Sequence, residues 1–213
     1  MSKNSNANNK KFIDEFFSLH NEIRQDPKSF IPNLRRELKN FQGNIWERQI
    51  GNEIISVETH EGKKVVQEAI DFLQKIKPVE ELELKEEISK IANSHAIDMA
   101  ENNLYDSKGS DGRNPDERIK KFIDHKNMGE SIDLGFITVE DIVFSILVDD
   151  GVEGRSRRKQ FFNPKFKFIG IGISDHPDYE KCCVIDYIGE IIAFKNCNFF
   201  FYNFLFKIFS RKR

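Results

Sequence analysis

Cysteine is scarce in this chain of 213 residues: there are three, Cys182, Cys183 and Cys197, two of them adjacent. An odd count containing a neighbouring pair offers no disulfide framework, because adjacent cysteines rarely bridge each other. An excess of either charge is also missing. Lysine and arginine number 33 against 35 acidic residues, a formal net charge of −2. Neither nucleic acid nor an anionic membrane is therefore expected as the main partner. Residues 1–11 are polar and lack the apolar run of a secretory leader. Together with the absent disulfide pattern, that predicts a reducing, cytoplasmic setting for the chain as written.

Signatures of chemistry are sparse as well. The sequence holds no Walker loop, no Cys-x-x-Cys, no His-Glu-x-x-His and no Gly-x-Ser-x-Gly. Gly170-Ile171-Gly172 lies in an apolar, β-branched run and lacks a third glycine, which excludes a dinucleotide fingerprint. The five histidines, His20, His60, His95, His125 and His176, are scattered, and no two have metal-ligand spacing.

Periodicity carries more. Residues 1–10 read as a disordered tail. Phe12, Phe16, Leu19 and Ile23 fall on one helical face ended by Asp26-Pro27, and residues 29–38 carry a shorter amphipathic pattern. Residues 43–51 read as a loop around Trp46, the only tryptophan. Helices are predicted over residues 61–76 and 84–103, over 116–124 after an Asn-Pro start, and from Thr138 with an acidic first turn. Residues 166–173 and 183–188 read as strands joined through His176-Pro177-Asp178. Helices first and strands last favour an α+β fold with an antiparallel sheet. The division is a tail (1–10), one domain (11–190) and an apolar tail with a basic end (191–213). That last stretch, interrupted by Lys195, Asn196, Asn198, Asn203 and Lys207, falls short of a clean spanning helix. It reads as a buried or interfacial helix, a poor anchor, or sequence outside the domain.

The order of short segments extends this reading. ISKIANSHAIDMAENNLYDSKGSDGRNPDERI (88–119), MGESI (128–132), DDGVEGRSRRKQFFNPKFKFIGIGI (149–173) and CCVIDY (182–187) together resemble a CAP domain, the family of cysteine-rich secretory, antigen 5 and pathogenesis-related proteins. LHNEIRQDPKSFIPNL (19–34) and THEGKKVVQEAIDFL (59–73) extend the resemblance to about residues 12–190, closest to a eukaryotic branch. It implies a three-layer α-β-α sandwich with an antiparallel sheet between helices. It also implies a cleft in which many members hold zinc through two histidines with two acids nearby.

Here the first histidine position is Ser107 and the second is Arg157, while the acid of the Gly-Glu-Asn motif is Glu130 and the other acid is matched best by Asp150. Hydroxyl and guanidinium are poor substitutes for imidazole as zinc donors. The expectation is a degenerate site with no metal, no cofactor and no catalytic residue. Arg157 is expected either to pair with Glu130, and with Asp150 beside it, or to extend into solvent within the basic run 155–159. That run reads as a solvated loop before a polyanion patch, and His95 reads as a structural histidine. Function is expected to be a non-enzymatic binding or effector module for a lipid, sterol, peptide or protein. The alternative is a hydrolase or protease-like enzyme of the family. Membrane contact is expected only through the C-terminal tail, and the family's habit makes an extracellular location the alternative to the cytoplasm.

Overall fold

A computed structural model of the chain describes residues 3–50, 52–136 and 138–195. Helix α1 (Lys3–Gln25) includes residues 3–10, where the sequence predicts a disordered tail. Once Phe16 and Ile23 are buried and the helix is nucleated, each further polar residue extends it at little free-energy cost. Lys10–Asp14 and Lys11–Glu15 pairs one turn apart favour that extension slightly. A 3-10 turn, Pro27–Phe30, follows Asp26, whose side chain accepts from the Lys28 N–H, and leads into α2 (Ile31–Leu38).

Three short strands then form a small antiparallel sheet, β1 (Phe41–Gln42), β2 (Ile45–Ile50) and β3 (Glu53–Glu58), the second of them within the 43–51 stretch that reads as a loop from sequence. Helix α3 (Lys63–Lys75) buries Val65, Ala69 and Leu73. Strand β4 (Glu83–Leu84) precedes α4 (Glu86–Asn102) and α5 (Pro115–Lys120), and Asn114 and Glu117 close a capping box on α5. Residues 121–124, predicted helical, fall instead at the entry to β5 (Ile123–Leu134). Thr138 and Asp141 form a second capping box that starts α6 (Val139–Val148), and α7 (Ser156–Phe161) follows. Strands β6 (Phe168–His176) and β7 (Glu180–Phe194) form the predicted hairpin. Strand β7 runs four residues past the expected domain end at 190 and pairs Phe194 with Ile123.

The main sheet has the order β4-β6-β7-β5, antiparallel except for the short β4–β6 pair. Residue parity decides what each face meets. Val184 and Ile188, with Gly170 and Gly172 of β6, face α4 and α5. Ile185 and Tyr187 face the larger core built by α1, α3, α6 and α7 around Phe16, Leu73, Ile146 and Phe161. The fold is the α-β-α sandwich.

The two glycines explain the Gly-Ile-Gly run. A Cβ on Gly170 would lie 2.4 Å from the Ile88 backbone, and one on Gly172 would lie 2.2 Å from the Asn93 nitrogen. Only glycine lets α4 lie this close. At that distance the Ser89 hydroxyl and the Asn93 side-chain carbonyl accept from the N–H groups of Ile171 and Ile173 (3.1 and 3.3 Å), completing a strand edge that two-residue β4 leaves uncovered.

Candidate functional site

The four residues expected in one cleft separate into two groups. Glu130 stands opposite Asp186 across β5 and β7, and Asp186 stands opposite Gly170, so both acids face α4. The partner of Glu130 is Arg118 of α5, which pairs with it through Nη2 and donates from Nη1 to the carbonyl of Ser107 at 2.6 Å. Ser107 thus contributes a backbone oxygen that steadies the arginine. Glu130 Oε1 and Asp186 Oδ1 are buried without hydrogen-bond partners. Burial, and then the Glu130 charge, push the Asp186 carboxyl well above its ordinary range. His95, buried on α4, sits within the field of this group. Its pKa is lowered first by burial and then by Arg118, which keeps the ring neutral.

Arg157 lies elsewhere, which overturns both the expected pairing with Glu130 and the solvent alternative. Its Nε donates to Asp149 Oδ1 at 2.7 Å, and its terminal nitrogens reach the carbonyls of Ser145 and Ile132 at 3.2 Å each. Nη1 comes within 3.6 Å of Asp133. Asp133 and Glu130 are three residues apart on one strand and therefore point to opposite faces of it. Asp150 is not a partner of Arg157 either. Its carboxylate accepts from the backbone N–H groups of His60 and Glu61 (2.7 and 2.9 Å), tying the entry of α3 to the end of α6.

The expected solvated basic loop is also corrected. Helix α6 ends at Asp149 in left-handed conformation (φ 54°), which leaves its last carbonyls without intrahelical donors. Arg158 takes those of Leu147 and Val148, while Arg157 and Arg155 add donors to the carbonyls of Ser145 and Asp149, which also accept from the N–H groups of Asp149 and Val152 (2.8 and 3.2 Å). Arg155 also forks onto Glu61 and Glu68, and Glu68 accepts from Arg158 as well. Three cations at a helix C-terminus also oppose the negative end of its dipole. The arginine run is a cap built from outside the helix.

Above Arg157 opens a cleft of about 480 Å³ between the β2–β3 hairpin, α6 and the end of β5. Its aromatic wall is Phe41, Trp46, Phe136, Phe144 and Tyr179. Trp46 stacks between Phe144 (4.5 Å) and Phe41 (5.8 Å), with the Arg48 guanidinium 4.7 Å from its ring centre and paired to Asp141. At the floor lies Asp133, with a side chain 7% exposed, accepting from the Ser145 hydroxyl. Burial raises its carboxyl to about 7 against the opposing pull of Ser145 and Arg157. Sequence reasoning missed this cleft, because its walls come from the hairpin read as a loop. The signal available was the lone tryptophan between Phe41 and Arg48.

The donors do not suit a family-type zinc site. Where imidazoles are expected stand a hydroxyl and a guanidinium bound to a helix end, Glu130 is taken by Arg118, and among the described residues no three His, Cys, Asp or Glu side chains gather to hold an ion. Cys182 and Cys183 are unbridged and buried, and burial pushes the first thiol up to about 12 and the second well above its ordinary range, so neither is a nucleophile near neutrality. Cys197 and the tail from 196 onward lie outside the described residues. Among those described, no helix is long and apolar enough to cross a membrane.

Layer order, sheet and motif positions define a CAP module, and the sequence agrees: the model of the cysteine-rich secretory protein family, CAP, matches residues 17–187. The chain belongs to that family. It is similar to the uncharacterised protein YkwD of Bacillus subtilis (strain 168), 34% identical over 120 residues, covering 55% of this chain and 43% of that protein. The chain thus spans less than half the length of that curated relative. Among solved structures, it resembles an extracellular SCP-domain protein of Bacillus anthracis (TM-score 0.45, 19% identity, 60% of this chain and 40% of that one). An outer surface protein of Borrelia burgdorferi is also similar (TM-score 0.44, 22% identity, 53% and 80%).

Proposed function

We propose that this chain is a CAP module that binds a ligand without zinc and without catalysing its turnover. The observation that carries the reading is the fate of Arg157. At the position where the resemblance expects a metal-binding histidine, the side chain is a guanidinium engaged with Asp149 and the α6 carbonyls. It offers no lone pair to a metal and accepts no proton. The serine at the other histidine position and the arginine-bound Glu130 agree with a degenerate site of this kind, as the Arg-x-Arg-Arg-Lys and Phe-Asn-Pro wording agrees with the eukaryotic branch.

The ligand site we assign is the Trp46 cleft. Its volume falls within the roughly 300–1,000 Å³ typical of small-molecule pockets, and its aromatic wall supplies the apolar surface such pockets share. Lipid, sterol and peptide ligands share the apolar body such a wall accepts. Two buried, unbridged thiols suit a reducing compartment.

Two measurements test the reading. Zinc at about 100 μM should leave the melting temperature unchanged, whereas a micromolar site would add about 2.7 kcal/mol and raise it by several degrees. Casein and a peptide library should be recovered intact after long incubation with the protein. Cleavage that survives purification and is lost in Asp133→Asn would replace the binding reading with the enzymatic one.

A further inference from the structure

Among the carboxylates around the cleft, charge compensation is unequal. Asp141 has Arg48 and the Thr138 N–H, Asp150 has two backbone N–H groups, and Asp149 just behind has the Nε and backbone N–H of Arg157. Glu58 is exposed at the rim, where water solvates it. Asp133 is the exception. It is buried, its hydrogen bond comes from the neutral Ser145 hydroxyl, and Arg157, committed to Asp149, stays 3.6 Å away. A buried carboxylate has room for about four donors and is strongly destabilised when its charge is not met. Overall, four carboxylates (Glu58, Asp133, Asp141, Asp150) line the cleft against two guanidinium groups (Arg48, Arg157).

Resting on the binding reading above, we propose that the Trp46 cleft takes a primary ammonium group carried on an apolar stem, with Asp133 as its anionic anchor. The chemistry selects this ligand in three steps. The excess of carboxylates favours a cation. The absence of three converging donor side chains among the described residues disfavours a metal ion. The unfilled acceptor sites on Asp133 favour a cation that donates N–H bonds over a quaternary one, while the aromatic wall covers the stem and adds cation–π attraction. A lysine side chain in a peptide and an amine-bearing lipid headgroup both fit that description.

Trp46, the sole tryptophan, stands in the wall and reports occupancy by its fluorescence. The wild-type protein is titrated with n-butylammonium and tetramethylammonium, and with n-butanol as the uncharged counterpart. Two further arms, an acetylated lysine amide peptide and phosphatidylethanolamine in detergent micelles, separate the two natural sources. The expected result is a saturable response to n-butylammonium at least tenfold tighter than to tetramethylammonium or butanol. In Asp133→Asn it should weaken at least tenfold, and in Glu190→Gln, an exposed acid outside the cleft, less than threefold, with the fold of both variants checked by circular dichroism. Equal affinity in Asp133→Asn, or no saturable response to n-butylammonium, overturns the proposal. If butanol or the micelles bind and the ammonium does not, the ammonium assignment falls while the cleft remains a binding site. Silence towards every probe removes both.

Discussion

Replacing Asp133 by asparagine isolates one buried ionisation. In an unfolded chain an aspartate titrates near 3.9, whereas in the fold burial holds Asp133 at about 7. The difference is about three pH units, or about 4 kcal/mol at 1.36 kcal/mol per unit. Below pH 4 both states carry the proton and the residue favours neither. As pH climbs from 4 towards 7 the unfolded chain releases its proton and the folded one retains it, so stability falls across that window and levels off above it. Asparagine keeps the shape and accepts from Ser145 but has nothing to ionise. Unfolding by urea, followed by circular dichroism at half-unit steps from pH 4 to 8, should show the variant gaining on the wild type by about 4 kcal/mol over the series. Subtracting the two curves cancels the remaining groups, including Glu61, held down to about 2 by Arg155. A difference that stays flat from pH 4 to 7 would refute the reasoning, and would mean that Arg157 and Arg48 already neutralise the carboxylate.

Arg118→Ala leaves Glu130 buried without its cation and should destabilise the fold by about 3–5 kcal/mol in the same urea assay. Gly172→Ala puts a methyl 2.2 Å from the Asn93 backbone nitrogen, so α4 must move off the sheet. The expected loss is about 3 kcal/mol or more, read as a lowered urea midpoint, because backbone and not a flexible side chain is the obstacle. Glu180→Gly relieves a left-handed residue at φ 61° in the β6–β7 turn and should raise stability by about 0.5–1 kcal/mol, measured by thermal melting.

The long amphipathic segments were legible from sequence because burial leaves a periodic trace: α1, α3, α4 and α6 all appear where the apolar stripes put them. The β2–β3 hairpin was not, since β3 is exposed along almost its whole length and alternation has nothing to record. Strand β5 was hidden by Glu130 and Asp133, charged residues whose burial depends on partners far along the chain. The candidate residues were found as positions but not as a constellation. Ser107, Glu130, Asp150 and Arg157 follow from motif order, but their grouping depends on which face of β5 each residue meets, and a shift of a single residue reverses that. The cap on α6 was beyond reach for a similar reason. A run of arginines reads as solvated until a helix end is known to stop beside it.

That cap bears on how the protein can change. Histidine at 157 would strip Asp149 of its cation and leave the Ser145 carbonyl with the Asp149 N–H alone, while Ser107 and the arginine-bound Glu130 still supplied no complete ligand set. Such a single change towards metal binding carries a penalty with no gain to offset it. A guanidinium in this position works as a ratchet: while the helix end leans on it, a metal site at this place is closed to single changes.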